Sequence, residues 1–338
     1  MRNGQRHGET WRRLAEGGLS WGSFRARARV LEGIRSFFRD RGFLETDPPF
    51  AQRYPNVDPN IFPVRIADAS GERTRFYLHT SPELAMKKLL AAGSGNIFFL
   101  GKVFRDREGS PLHAPEFTML EWYRVGGGAD DVIRDVEELV RKLARRINGR
   151  EALQRGGKEI PVDRPWERRE LSSVLRERIG AEMTDAAGLR EGLSRLGVRA
   201  GADESWEDLF FRAYLEVAEP HAAALGACFL TGYPAALGAM ARRRAGAPEV
   251  AERFEGYAGG VELVNGYEEL TDPEEQEARL LDLAERHRRL TGERLPLDPE
   301  FLDALRRGLP PCAGAALGVD RLVMLLLGGR DLSEGMYL

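Results

Sequence analysis

Cysteine is scarce: there are two in 338 residues, Cys228 and Cys312. They lie far apart and neither has a partner at metal-ligand spacing. That excludes a disulfide-stapled scaffold and a thiolate metal site, and leaves two small buried hydrophobes in a reducing compartment. Histidine is scarce too, and His7, His79, His113, His221 and His287 show no metal spacing. A basic excess is missing, since 50 Lys and Arg stand against 53 Asp and Glu, a formal net charge of -3. Proteins that grip long nucleic acid usually carry surplus positive charge, so an extensive RNA footprint is not expected, although a local basic patch stays open. No apolar run is long enough to cross a bilayer, the longest being 322–327. Arg2, Arg6, Arg12 and Arg13 crowd the N-terminus with no apolar stretch behind them. A secretory signal is therefore not expected, and cytoplasm is the default.

What is present is a globular composition, 42% hydrophobic and 30% charged, enough for one large core or one core with a small appendage. Residues 1–22 are polar and read as a loose arm. Ser23 reads as an N-cap, followed by Val30, Leu31, Ile34, Phe37 and Phe38 on one helical face, with Gly42 as the stop. A short strand over 43–46 runs into Pro48 and Pro49. Strands over 96–104 and 116–125 flank a polar loop, and a helix opens at Asp130 and Asp131. Residues 150–225 read as a mostly helical insertion with no recognisable chemistry. Strands resume at 227–230 and 254–263, and helices follow near 272–290 and 317–327. This order predicts an α+β domain, residues 23–338, around a mainly antiparallel sheet.

Three stretches carry chemistry. In the strand 116–125, Phe117, Met119, Glu121 and Tyr123 share a face. A carboxylate amid apolar neighbours needs a cation, so Glu121 is either a frayed-edge glutamate paired with arginine or, with Tyr123, the floor of a pocket for an ammonium group. In 254–263 the glycines mark a hairpin. With Ala258 and Gly259 as the turn, Glu255 faces Glu262, a repulsive pair unless a divalent cation sits between them. A solvated acidic face is the alternative. Glu268 and Glu269 are adjacent, so at most one faces a pocket, and Thr271 or Asp272 caps the next helix. In 314–327, Arg321 sits in the first turn of a helix that is apolar nearly all round. It needs an anion, either a phosphate or a carboxylate such as Asp320. Arg105, ending a strand, would clamp a triphosphate together with it. His113, in the loop after Arg105, is the one histidine with a functional cast.

These stretches together resemble a known family. Residues 103–123, with Arg105, His113 and the run Glu116-Phe117-Thr118, are similar to motif 2 of the class II aminoacyl-tRNA synthetases. Residues 317–322 are similar to motif 3. The helix from Ala26 with Phe43, Leu44, Glu45 and Pro49 is similar to motif 1, the dimer-forming element. Ser81-Pro82-Glu83 and residues 265–270 resemble the lysine branch. With motif 1 starting near residue 24 there is no room before it for an anticodon-binding OB domain. The closest resemblance is therefore to the truncated elongation factor P (R)-β-lysine ligase family.

The resemblance implies a class II catalytic domain that uses ATP and Mg2+ to activate lysine, by preference (R)-β-lysine. The product goes to a lysine side chain of elongation factor P, as the work of a homodimer, with no membrane and with tRNA not the expected acceptor. Arg105 would hold the α-phosphate and the amino-acid carboxylate, and Arg321 the γ-phosphate. Asp106, Arg107, Glu108, Glu262, Leu263 and Gly318 would complete the nucleotide site. Glu255 and Glu262 would bind magnesium. Glu83, with Ser81 and Pro82, would meet the backbone-type amine. Glu121, Tyr123 and Glu269 would read the terminal ammonium, and Asn265 the carboxylate. Ala316 stands where lysyl enzymes tend to have glycine, and its methyl would favour an amine one carbon further along. Two departures touch the nucleotide: Arg107 stands where the family has Glu, with Glu108 one place late, and Ala114 where it has Asn. The other readings are a ligase loading another acceptor (tRNA, carrier protein or small molecule) and a non-catalytic amino-acid sensor.

Overall fold

The computed structural model describes residues 10–336, so Arg2, Arg6, His7 and the first part of the arm lie outside it. The rest of the arm holds a helix, α1 (Thr10–Ala15). The main N-terminal helix, α2 (Trp21–Arg39), is capped by Ser20, whose hydroxyl accepts from Gly22 N at 3.0 Å. Ser23, expected as the cap, therefore lies inside the first turn. The cap lies three residues earlier, where the Ser20 hydroxyl satisfies a free backbone N–H of the first turn. The expected apolar face is buried: Val30, Ile34, Phe37 and Phe38 are almost fully covered.

Strand β1 (Leu44–Glu45) follows, and β2 (Ala51–Gln52), β3 (Arg65–Ala67) and β4 (Thr74–Leu78) make a small separate sheet. Helix α3 (Glu83–Ala91) leads into the long hairpin β5 (Ile97–Phe104) and β6 (Glu116–Val125), then α4 (Ala129–Asn148). Asp131 closes the α4 N-terminus by accepting from Gly128 N at 2.9 Å. The insertion is not helical from its start. It opens with a hairpin, β7 (Ala152–Arg155) and β8 (Lys158–Pro161), and with β9 (Glu167–Glu170), which joins the main sheet. Only then come α5 (Leu171–Ile179), α6 (Ala186–Arg195), α7 (Trp206–Ala213), a π-turn over Tyr214–Ala218 and α8 (Glu219–Leu225). The helices pack around their own apolar cluster, which includes Leu171, Val174, Leu189 and Phe210.

The chain then lays down β10 (Ala227–Pro234), β11 (Arg243–Arg244), β12 (Ala247–Ala258) and β13 (Val261–Glu268). Asp272 caps α9 (Pro273–Thr291), α10 (Pro299–Gly308) follows, and β14 (Cys312–Gly318) runs directly into α11 (Val319–Leu327). The small residues 313–316 thus form a central strand. The sheet order is β1-β5-β6-β14-β13-β12-β10-β9, with β11 on β12, antiparallel except at its two edges. This is the expected α+β architecture. One face of the sheet is sealed by α2, α4 and α11, with Phe98, Leu120, Trp122 and Leu317 in the core. The other face carries the site.

The β12–β13 turn departs from the expected register. Gly259 and Gly260 form it, at φ 57° and 71°, the left-handed pair that a tight two-residue hairpin demands. Ala258 pairs with Val261 and Tyr257 with Glu262, and a bulge at Leu263 then sets Glu255 opposite Asn265, not opposite Glu262. The two acids nevertheless share a face, because Tyr257 is two residues from Glu255 and directly opposite Glu262. The bulge also lets Glu262 and Asn265, three residues apart, point the same way.

Candidate active site

The open face of the sheet is read most simply as two rows of cross-strand neighbours. One row runs Glu121 (β6), Ala316 (β14), Asn265 (β13), Glu255 (β12). The next runs Tyr123, Gly314, Tyr267, Arg253 on the same strands. Gly314 is required here: a Cβ on it would lie 2.4 Å from Cδ1 of Tyr123, so only glycine lets that ring lie across the strand. Above the rows is a cavity of about 240 Å³, walled further by Ser81, Glu83, Arg105, Met240 and Glu269. A larger hollow of about 660 Å³ lies over residues 201–216 of the insertion, but it is an open groove remote from these groups.

At one end of the cavity three glutamates converge. Glu121 is buried and accepts from Tyr123 OH at 2.7 Å and Ser81 Oγ at 2.8 Å. Burial, then the charge of Glu83, pushes its carboxyl up to about 7. Ser81 also accepts from Glu83 N at 3.0 Å, so the start of α3 is tied to the strand below. Pro82 is the residue before that helix and does not line the cavity. Glu83 accepts from Tyr267 OH and from Lys87 Nζ, the latter at 2.8 Å. Burial opposes its charge, but the adjacent Lys87 outweighs that and holds its carboxyl below the usual range. Glu269 is 2% exposed, lies 2.6 Å from Lys87 Nζ, and is pushed by burial up to about 8. Lys87 is its one ion-pair partner among the described residues. Of the two adjacent glutamates, Glu269 faces the cavity. Glu268 turns to Arg242 and to Ala129 N at the start of α4.

At the other end stands Arg105. Its Nε donates to Thr80 O at 3.3 Å and its guanidinium lies 5.1 Å from the Phe117 ring centre. It has no carboxylate within ion-pair distance among the described residues, and burial lowers its pKa, so an anion placed in the cavity meets an unspent charge. The loop beyond it divides. Asp106 N bonds Phe62 O, and Arg107, in the left-handed region at φ 63°, stacks on the Phe62 ring at 4.1 Å. Both are exposed and stand off the cavity wall. Glu108 is half-buried and is the nearest acid acting on Arg105.

Arg321 reaches back from the first turn of α11. It donates to Glu262 O at 2.8 Å, to Glu262 Oε2 at 3.2 Å and to Leu112 O at 3.2 Å, and its Nη2 is 2.6 Å from His113 Nε2. Its carboxylate partner is thus Glu262. Asp320 is taken by Arg27 and by Thr118 N at 2.6 Å. Burial and Arg321 lower the His113 pKa, and its Nδ1 is 2.7 Å from Ser110 Oγ. His113 is therefore neutral and acts on Arg321. Gly318 is the residue before the helix. Leu263 packs into the core, leaving only its backbone for a nucleotide.

Glu255 is held more tightly than any sequence feature foretells. Oε1 accepts from Arg253 at 2.6 Å and Asn265 at 3.4 Å, and Oε2 from Tyr214 at 2.6 Å and Tyr257 at 2.8 Å. Tyr233 OH lies 2.7 Å from Tyr214 OH. The insertion, read as devoid of chemistry, thus delivers a phenol to this acid through its π-turn, a device common at functional sites. Glu262 makes a single side-chain hydrogen bond and is raised by burial and by Glu255. Among the described residues no three His, Cys, Asp or Glu side chains form a metal cluster. A cation here would rest on two carboxylates plus ligand oxygens, the pattern magnesium prefers.

A family model described as tRNA synthetases class II (D, K and N) matches residues 20–336. The chain belongs to this class II synthetase family. Among curated relatives it is similar to an Elongation factor P--(R)-beta-lysine ligase homolog of Aquifex aeolicus, 38% identical, covering 91% of this chain and 96% of the relative. An Elongation factor P--(R)-beta-lysine ligase of Yersinia enterocolitica is 36% identical over 91% of this chain and 92% of the relative. A Lysine--tRNA ligase of Chloroflexus aurantiacus is 32% identical over 92% of this chain, which spans 63% of that enzyme. Like other members, the chain has the scaffold of an ATP-dependent aminoacyl ligase. None of its described helices is long and apolar enough to cross a membrane.

Sequence reasoning missed Lys87, Arg253, Tyr267 and Tyr214. The first three left a trace: Lys87 interrupts the apolar run Leu84, Met86, Leu90, and Arg253 and Tyr267 stand two residues from Glu255 and Asn265. Tyr214 left none, because a π-turn and a tertiary contact place it.

Proposed function

We propose that the protein activates a lysine-type diamino acid with ATP and transfers it to a lysine side chain of elongation factor P. The observation that carries this reading is the cavity itself, with three glutamates at one end and unpaired Arg105 at the other. A diamino acid matches it, its carboxylate on Arg105, its nearer ammonium and its terminal ammonium shared among the three glutamates. Arg105 binds the amino-acid carboxylate and the α-phosphate together. A carboxylate oxygen attacks the α-phosphorus, the new acyl–phosphate bond forms, and pyrophosphate leaves with the electrons of the broken P–O bond. The acceptor amine then attacks the acyl carbon, AMP departs, and the amine loses a proton. The first step needs no proton transfer, so placement and charge neutralisation supply most of the rate.

Arg321 exchanges Glu262 for the γ-phosphate. Glu262, with a single side-chain hydrogen bond, and Glu255 beside it would hold a magnesium ion, which would supply charge neutralisation at the phosphates. Ala316 lies between Glu121 and Asn265, where its methyl narrows the floor and favours (R)-β-lysine. Two copies pair through α2, which sedimentation would read as a dimer mass.

The acceptor follows the names of the relatives that the chain covers almost end to end. Amino-acid-dependent exchange of labelled pyrophosphate into ATP, run with α-lysine and with (R)-β-lysine, tests the first half. Intact mass of co-incubated elongation factor P tests the second. Exchange with neither amino acid would end the reading, equal rates would end the role of Ala316, and an unmodified acceptor would end the assignment of elongation factor P.

A further inference from the structure

Lys87 lies beneath the acidic end of the cavity and is 1% exposed. A lysine this deeply buried ordinarily gives up its proton. Here Glu83 of its own helix and Glu269 from the end of β13 stand 2.8 and 2.6 Å from its Nζ. Met240 Sδ closes the remaining side at 3.2 Å. The Tyr267 ring is 5.2 Å away, and Glu121 and Cys312 also feel the lysine's charge. The attraction of the two carboxylates outweighs burial and raises the lysine, so it stays an ammonium. Lys87 is not part of the cavity wall. Glu83, Glu121 and Glu269 are.

Resting on the reading that the cavity takes an amino acid, we infer that Lys87 is a built-in counter-ion that sets how many positive charges the pocket accepts. When all three wall carboxyls are ionised, as an entering cation draws them, the one ammonium leaves two net negative charges. An amino acid with two ammonium groups balances them once Arg105 has taken its carboxylate. A monoamine of the same length leaves one buried carboxylate unmatched, which is costly. Glu269 is buried on the wall, and Lys87 is its one ion-pair partner among the described residues, so it keeps capacity for a second cation from the cavity side. Lys87 touches no substrate. It is a positioning residue that spends one unit of charge and anchors two acids.

The test is a charge-count cycle on the full-length protein, with Lys87→Met, Glu269→Gln and the double variant. Binding of lysine and of norleucine, its monoamine counterpart, is read by isothermal titration, with the KM for ATP in pyrophosphate exchange as a control. Wild type is expected to prefer lysine at least tenfold. Lys87→Met raises the pocket to three unbalanced carboxylates and weakens lysine at least tenfold, while the KM for ATP stays within twofold. Glu269→Gln leaves Lys87 overcharged beside the substrate, so adding Lys87→Met to it improves lysine binding. A merely structural Lys87 predicts the opposite, two losses that accumulate.

Lysine affinity unmoved by Lys87→Met, or a double variant no better than Glu269→Gln, overturns the inference. If Lys87→Met does not fold, the wild-type preference together with the affinity of Glu269→Gln for norleucine decides. That variant carries one net negative charge and is expected to bind the monoamine better than wild type does. The expected titration pattern without pyrophosphate exchange would sustain Lys87 and refute adenylate formation instead. Exchange with no preference for lysine would do the reverse.

Discussion

The two ends of the site are built differently. At the amino-acid end the polar groups come from β6, β13 and the start of α3 and are locked by one another: Ser81 and Tyr123 on Glu121, Lys87 and Tyr267 on Glu83. At the phosphate end the groups come from a loop and a helix start, and in the free protein they satisfy each other. Arg321 holds Glu262 and His113, and Arg107 leans on Phe62. The difference teaches where selectivity and chemistry reside. On the proposed function, the charge pattern that would choose the amino acid exists before anything binds, whereas a triphosphate clamp would be assembled as phosphate replaced those internal partners. Arg105, with no carboxylate within ion-pair distance among the described residues, would serve both.

The strongest way to break this contrast is at that junction. Arg105→Ala is expected to lower kcat/KM for pyrophosphate exchange about a hundred- to thousand-fold, the usual cost of losing a donor aimed at developing charge. It should do so for ATP and for the amino acid alike, while circular dichroism stays native. A loss confined to one substrate would place Arg105 at one end only.

Glu121→Gln acts on the amino-acid end alone. It keeps the side chain's shape, turns one of its two acceptor atoms into a donor and removes the charge, at a cost of about 2 kcal/mol, or ~30-fold in amino-acid KM. The KM for ATP should not move. An equal rise in both would mean that the ends are not separable.

The contrast can also be sharpened with pH. Glu121 and Glu269 titrate near 7 and 8 in the free protein because burial disfavours their charge. A protonated carboxyl attracts an ammonium poorly, so affinity for the amino acid should rise as pH climbs from 6 through 8, by about tenfold per raised unit. The stability sign is opposite. Groups with raised folded pKa bind more protons folded than unfolded between about 4.5 and 8, so the free protein loses stability as pH rises across that window. Affinity by titration and melting by calorimetry, run at matched pH, should therefore move in opposite directions. Movement together would contradict the buried acids as the source.

Much of this was readable from residues. The strand 116–125 is buried on both faces from Thr118 to Tyr123, yet the two-residue period of a strand alone separated Glu121 from Trp122. The α2 face and the burial of α11 followed from helical spacing. What failed was set by single-residue choices that pattern does not encode. The β12–β13 turn moved by one residue because Gly259 and Gly260 both tolerate positive φ, and the bulge at Leu263 then shifted every later pairing. The strands 152–161 carry Gly156-Gly157 between short mixed segments, too brief for a period to emerge. Lys87 was invisible as chemistry because a lysine on a helix usually reaches water, and only the tertiary arrangement of Glu83, Glu269 and Met240 shows that this one does not.

The smallest expected effect probes the phosphate end from the insertion. Tyr214→Phe removes one of two phenols on Glu255 Oε2 and leaves the ring packed against Phe210 and Tyr233. A hydrogen bond to a charged acceptor is worth about 1.5 kcal/mol at the low end, so the free magnesium needed for half-maximal exchange should shift about tenfold. The direction separates two roles for the phenol. If it aims Glu255 at the cation, the requirement rises. If it competes with the cation for the same oxygen, the requirement falls. Four donors on one carboxylate, arranged before any cation arrives, favour aiming, because Tyr257, Arg253 and Asn265 still hold Glu255 when one oxygen turns outward. The amino-acid KM should stay within twofold either way, since Glu83, Glu121 and Glu269 have no bond to Tyr214. A matching shift in amino-acid KM would show that the tyrosine cage and the acidic pocket work as one unit, and the division between the two ends would have to be abandoned.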